Sequence, residues 1–315
     1  MRVLVLTSTP REPDNHLLWK GLARFAEVEV RYIDRAQQKR LGSLLRAIDA
    51  TAFDRVVVDL LFRYVHKQVR ILRRMPGLMF YEEDAWLEFT PNSRWRGKFS
   101  AFYRQVPHAR VVMTGFHVAQ RFKSLGVDAH FLVKGYDSDK LYDACQPRDI
   151  ELGFIGRLGS NAYRERRAFL QRAADRFGLA IMRTEPGDAY REALNRIKVF
   201  VSADIDMGEY MAKNFEAMAC GCALLAYRQS EAEVQAIGLV DGGNVMLYGC
   251  EQEFDAKLAQ LRADPPLAER IAQQGRLFAE QHLNYFEQSK AVFDLLSPAL
   301  PPPAPRGFFA RWWRG

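Results

Sequence analysis

Cysteine is scarce in this chain of 315 residues. The four are Cys145, Cys220, Cys222 and Cys250, and their one close pair has the spacing C-x-C, not the paired spacing of a zinc site. Reduced, buried thiols are therefore expected. Long apolar runs are also missing. None approaches the roughly 18 residues that would cross a membrane. The apolar stretch 3–6 is too short for a signal-peptide core, and the TSTPREPDN that follows is no cleavage site, so a cytoplasmic location is expected. There is no P-loop, zinc finger, helix-turn-helix or RNA-recognition signature. A formal net charge of +7 still calls for an anionic partner. Phosphorylated substrates, an anionic membrane surface and nucleic acid all carry the right sign. The cations are spread along helices such as RYVHKQVRILRR (63–74), with no aromatic-interleaved motif, so a nucleic-acid partner is not expected.

The length exceeds one comfortable core and favours two domains of about 150 residues each. Apolar runs read as strands at 3–7, 28–33, 55–60, 78–81, 111–114 and 130–133. Helical patterns separate them at 17–25, 41–48, 65–72, 99–104 and 118–125. A polar stretch, 137–149, is the best linker candidate, after which the scheme repeats. Strands are expected at 150–155, 180–183, 199–202, 223–226 and 245–248, with helices at 163–177, 189–197, 209–219 and 232–237. From residue 253 the pattern is purely helical. This alternation predicts an α/β protein of two Rossmann-like domains facing a cleft. The expected divisions are a first domain at 1–142, a linker at 143–149 and a second domain at 150–285. A helix at 286–297 would pack back on the first domain, ahead of a Pro-rich spacer and aromatic-basic tail at 298–315. Ligands in such folds lie beyond the carboxyl ends of the strands.

Four stretches could carry chemistry there. In GFIGRLGSN (153–161), Gly156 and Gly159 would let the backbone approach a ligand, while Arg157 adds a forked charge for phosphate. In MAKNFEAMACGCALLAY (211–227), Met211, Phe215 and Met218 share one helix face, while Glu209, Lys213 and Glu216 cluster on the other. Glu216 could accept two hydrogen bonds from a ribose diol; a solvated Lys213–Glu216 pair is the plainer reading. In LMFYEEDAWLEF (78–89), Glu83 and Asp84 are candidate general bases beside a sugar-stacking Trp86; a solvated acidic turn competes with this. Asp204 and Asp206 form a D-x-D that reads as a polar loop before it reads as a metal site.

The pairing of GFIGRLGSN with YMAKNFEAMACGCALLAY resembles the donor domain of GT-B glycosyltransferases, among them the group 1 and spore-maturation-protein types. DGGNVMLY (241–248), LAERIAQQGR (267–276) and VKGYD (133–137) extend the similarity. The resemblance implies that Glu216 holds the donor ribose and Arg157 the donor diphosphate, with Lys213 or Asn214 facing phosphates or base. The family's second acid would fall at position 208, where Gly208 stands with Glu209 one place later. It further implies a hexosyltransferase-type enzyme that needs no metal and no cofactor, moving a sugar from a nucleotide-diphosphate sugar to a glycan or lipid-linked hydroxyl acceptor. A bacterial envelope glycan is the expected product. A nucleotide-sugar epimerase and a non-catalytic sugar-nucleotide-binding protein are the alternatives. Phe308, Phe309, Trp312 and Trp313, set among arginines, suit an anionic membrane surface, which would place the protein on the inner face of the cytoplasmic membrane.

Overall fold

A computed structural model describes residues 1–10, 14–90, 92–159 and 163–303. Six parallel strands make the first sheet: β1 (Arg2–Ser8), β2 (Glu27–Ile33), β3 (Arg55–Asp59), β4 (Leu78–Glu82), β5 (Arg110–Met113) and β6 (Asp128–Phe131). Their spatial order is β2-β1-β3-β4-β5-β6. Five more make the second: β7 (Ile150–Ile155), β8 (Ala180–Met182), β9 (Ile197–Ser202), β10 (Ala223–Tyr227) and β11 (Met246–Tyr248). Here the order is β11-β10-β9-β7-β8, again parallel throughout. The period of two along β1 explains the layering. Leu4 and Leu6 enter one core, Val3 and Val5 the core on the opposite face.

The first domain's helices are α1 (His16–Leu22), α2 (Arg35–Lys39), α3 (Leu41–Arg46), α4 (Phe62–Val65), α5 (Val69–Leu72), α6 (Lys98–Tyr103) and α7 (Phe116–Ser124). The second domain adds α8 (Arg164–Phe177), α9 (Asp188–Arg196), α10 (Ala212–Ala219) and α11 (Glu231–Ile237). They are followed by α12 (Glu251–Ala263), α13 (Pro265–His282) and α14 (Tyr285–Leu296). The chain crosses between the sheets twice, side by side: Tyr136 N–H donates to Leu283 O at 2.9 Å and Tyr285 N–H to Tyr136 O at 3.2 Å. Gly135 permits this approach, since a Cβ there would meet Leu283 O at 2.4 Å. After the second crossing α14 lies on α1, where Arg24 reaches Glu287 at 3.1 Å.

Three local details depart from the sequence expectation. The helix expected at 65–72 is two short pieces separated by a tight turn, His66–Gln68. α2 was not foreseen, although Asp34 and Gln37 form a reciprocal capping box readable as D-x-x-Q. The helix expected from residue 209 begins at Ala212, because the preceding loop bends through left-handed residues Asp206 (φ 62°) and Gly208 (φ 69°).

Candidate functional site

On the second domain's side the site begins where β7 ends. Gly156 N–H is tied to Met182 O at 3.1 Å, and a Cβ on Gly156 would come 2.8 Å from the Phe154 ring and 3.6 Å from Lys213 Cε. Only hydrogen fits between the strand end and α10. Arg157 follows, exposed at the mouth, and Gly159 leads on into residues outside those described. The start of α10 is anchored from below. Asp204 pairs with Arg166, accepts from Met211 N–H at 2.9 Å and accepts from Asn214 Nδ2 at 2.7 Å. Lys213, on the first turn, lies 5.1 Å from the Tyr190 ring centroid. Burial lowers its ammonium pKa, Glu216 pulls it back up, and Arg166 and Arg157 push it down again. Lys213 and Arg157 thus lie near a helix N-terminus, with the buried Arg166 behind them held by Asp204, an arrangement suited to receive phosphate. One turn on, Glu216 accepts from Tyr190 Oη at 2.5 Å. Burial raises its carboxyl, opposed by Lys213 and the Tyr190 bond.

Across the cleft, the carboxyl ends of β1, β3 and β4 surround a cavity of about 240 Å³. Asp14, Asp59, Glu82, Glu83 and Asp84 line it. Asp59 accepts from Thr7 Oγ1 at 2.6 Å, Asn15 Nδ2 at 3.0 Å and Trp19 Nε1 at 3.0 Å, yet burial still lifts it to about 6. Glu83 is pushed higher, to about 8, by burial first and then by repulsion from Asp59, with Lys134 pulling the other way. Such a value is suited to proton exchange near neutrality. Asp84 sits exposed at the rim, its own N–H given to Glu82 Oε1 at 2.9 Å. The two sides meet electrostatically: Asp14 raises both Glu83 and Glu216, and the Tyr285 hydroxyl, raised first by burial, is raised further by both of these carboxylates.

Two of the expected donor residues are placed elsewhere. Asn214 is fully buried, and its amide holds Asp204 and Met211 O, so it braces α10 from beneath and does not line the cleft. Glu209 lies outside the helix and crosses to the first domain. Its Oε1 accepts from Lys134 Nζ at 2.7 Å and its Oε2 from Thr114 Oγ1 at 3.3 Å. The cause is the left-handed bend at Asp206 and Gly208, which turns Glu209 away from the face of Lys213 and Glu216. Burial raises its carboxyl to about 7 against the attraction of Lys134. Glu233 makes a second clasp by accepting from Phe116 and His117 N–H at 3.1 and 2.8 Å, at the start of α7. Sequence reasoning missed Asp59, Lys134, Tyr190 and Glu233. An acid ending a strand (Asp59) was the one available signal; the others depend on pairings far apart in the chain. Asp204 is occupied as described, and among the described residues no three His, Cys, Asp or Glu gather as metal ligands. Trp86, expected near Glu83, lines a separate interdomain cavity of about 340 Å³ with Phe89 and Arg121. A groove of about 860 Å³ lies near the start of β7 and along α13, far from the strand carboxyl ends. Phe308, Phe309, Trp312 and Trp313 lie outside the described residues. Among those described, no helix is long and apolar enough to cross a membrane.

Comparison with solved structures gives the architecture a name. The Anabaena HepE protein in complex with UDP and glucose matches with a TM-score of 0.65 at 14% identity, over 94% of this chain and 99% of that one. Sucrose-phosphate synthase from Thermosynechococcus elongatus matches at 0.63 and 12%, over 94% and 98%. An alpha-glucosyltransferase in complex with UDP-glucose and DNA containing an abasic site matches at 0.58 and 10%, over 95% and 100%. No curated protein matches in sequence. Residues 155–294 match the family described as glycosyl transferase-like. The chain therefore has the GT-B glycosyltransferase fold, two Rossmann-like domains across a cleft, with the glycosyl transferase-like match confined to its second half.

Proposed function

We propose that this protein is a glycosyltransferase that moves a sugar from a nucleotide-diphosphate sugar to a hydroxyl of a glycan or lipid-linked acceptor, in the building of a bacterial envelope glycan. The observation that carries the reading is the convergence of Lys213, Arg157 and the α10 N-terminus beside Glu216, opposite a cavity whose Glu83 is held near 8. UDP and UDP-glucose complexes of the structural neighbours support the donor class. In this reading Glu216 accepts the ribose hydroxyls. Arg157, Lys213 and the helix N–H groups hold the diphosphate and stabilise the charge that develops as it leaves. The acceptor oxygen attacks the anomeric carbon, the bond from that carbon to the diphosphate oxygen breaks, and the acceptor proton passes to the Glu83 carboxylate. Asp84, at the rim, orients the acceptor. In this scheme Arg157, Lys213 and the helix N–H groups carry the phosphate charge, without a resident cofactor or metal.

The test is a thermal-shift titration of the purified chain with UDP-, GDP-, dTDP- and CMP-sugars, with and without EDTA. One nucleotide series should stabilise the protein, and the Glu216→Ala variant should lose that response. EDTA should leave it unchanged; loss with EDTA would return Asp204 and Asp206 to consideration as metal ligands. Indifference to every nucleotide would sink the proposal.

A further inference from the structure

Three stretches of the first domain, 35–48, 60–81 and 89–127, contain sixteen Lys and Arg and no Asp or Glu. All 38 acids lie elsewhere, against 29 Lys and Arg, so the rest of the chain is net −9 although the whole is +7. Folding gathers these stretches on one side. Through Leu41, Leu45, Phe62, Leu72, Phe99 and Phe122, the helices α3 to α7 pack on the sheet face that carries Leu4 and Leu6. Their outer surface presents Arg40, Arg46, Lys67, Arg70, Arg74 and Lys98, all exposed. Among the described residues only one of the sixteen pairs with a carboxylate: Arg110 with Asp128, at 2.9 Å.

The patch also has an interfacial character. The half-buried Trp95 ring lies 5.0 Å from the Arg94 guanidinium and 5.5 Å from the Lys98 ammonium, and meets Phe62 edge-on. Tyr64 lies 4.7 Å beneath Arg63. Leu44, Val69 and Ile71 are half-exposed between the cations. We propose that this face of the first domain docks on an anionic membrane surface, with headgroups on the Lys and Arg and Trp95 at the acyl boundary. The surroundings of the patch favour a membrane over a nucleic acid. The cavity adjoining the patch, partly walled by Arg35, Gln38, Leu60 and Leu61 from the same stretches, also carries six carboxylates, among them Asp34, Asp59 and Glu83, that would repel a polyphosphate chain. Half-exposed aliphatics have a use in a lipid surface and none against a phosphate backbone. The docked face would bring the cavity's mouth to the bilayer, where a lipid-borne neutral sugar can enter. That last consequence rests on the transferase reading above; the membrane contact itself does not.

The experiment is sedimentation of the full chain with phosphatidylcholine vesicles, with and without phosphatidylglycerol, at low and high salt. Binding is expected only with phosphatidylglycerol and should weaken with salt. A variant carrying Lys67→Ser, Arg70→Ser, Arg74→Ser and Arg96→Ser should keep its thermal midpoint and its nucleotide response. Its partition onto anionic vesicles should fall about 50-fold or more, each cation near such a surface being worth up to about fivefold. A chain ending at Pro303 should retain most of the binding. No binding by the full chain, parental binding by the fourfold variant, or loss of binding only on truncation would each overturn the proposal. So would tighter binding of an oligonucleotide than of vesicles at matched salt, lost in the fourfold variant. Nucleotide titration scores the transferase reading separately, so failure of one leaves the other standing.

Discussion

Replacing Glu216 with Gln should weaken donor binding and leave the chemical step nearly intact. The carboxylate already takes one bond from Tyr190 at 2.5 Å on Oε2, so its remaining acceptor capacity faces the cleft. A ribose diol would add hydrogen bonds to a charged acceptor, worth about 1.5–3 kcal/mol each. Gln keeps a single carbonyl oxygen to serve both Tyr190 and the ribose, and it removes the charge that sustains protonation of Lys213. A loss of about 2–3 kcal/mol follows, or about 30- to 150-fold in Kd. The fold should tolerate the change. Burial already disfavours the charged carboxyl, so a neutral amide in its place costs little desolvation. Isothermal titration with the nucleotide series that stabilises the parent measures Kd, and steady-state kinetics should show KM rising while kcat falls less than about tenfold. A Kd within about twofold of the parent, or a collapse of kcat at unchanged Kd, would refute the ribose role.

Glu83, held near 8, should impose a rising limb on the pH–rate profile with a midpoint near that value, since the deprotonated form is the base. The Glu83→Gln variant should flatten that limb and lose about 10²- to 10⁴-fold in kcat while still binding nucleotide. Lys134→Met strands Glu209, which is 1% exposed, and should cost about 3–5 kcal/mol in urea unfolding, with much of it recovered when Glu209→Gln is added. The sign of its pH dependence follows from a folded pKa near 7, above the ordinary 4.5. Stability associated with Glu209 is greatest below about 4.5 and declines as pH rises toward 7. Without Lys134 the decline should be steeper and extend to higher pH.

The strands were legible because parallel strands covered on both faces are continuous apolar runs bounded by Gly, Pro and Asp. Each of the eleven observed strands overlaps one of the eleven expected runs. The short helices were less legible. α4 and α5 share one periodic pattern in the sequence, and only the turn at His66–Gln68 divides them. At the site, the spacing of Gly156, Arg157, Lys213 and Glu216 put these residues together on paper, and the fold places Gly156 against Lys213 and Lys213 within reach of Arg157 and Glu216. Asn214 misled because Lys213 before it faces the cleft, while its own position on the helix, one residue on, turns it inward toward the side of the buried Phe215.

Local patterning by itself determined two parallel α/β layers, the glycine at the end of β7 and the acid on α10, since period, chain reversal and turn chemistry are properties of a few adjacent residues. Tertiary structure alone decided the rest. Glu209 became an interdomain clasp because a left-handed bend turned it toward Lys134, a residue 75 positions away. Glu83 is held near 8 because folding desolvates it beside Asp59. The charge excess, modest in the sum, became one strongly basic face because three acid-free stretches cover the same side of one sheet. Burial and long-range electrostatics depend on which distant segments are brought together, and that information appears only once the chain is folded.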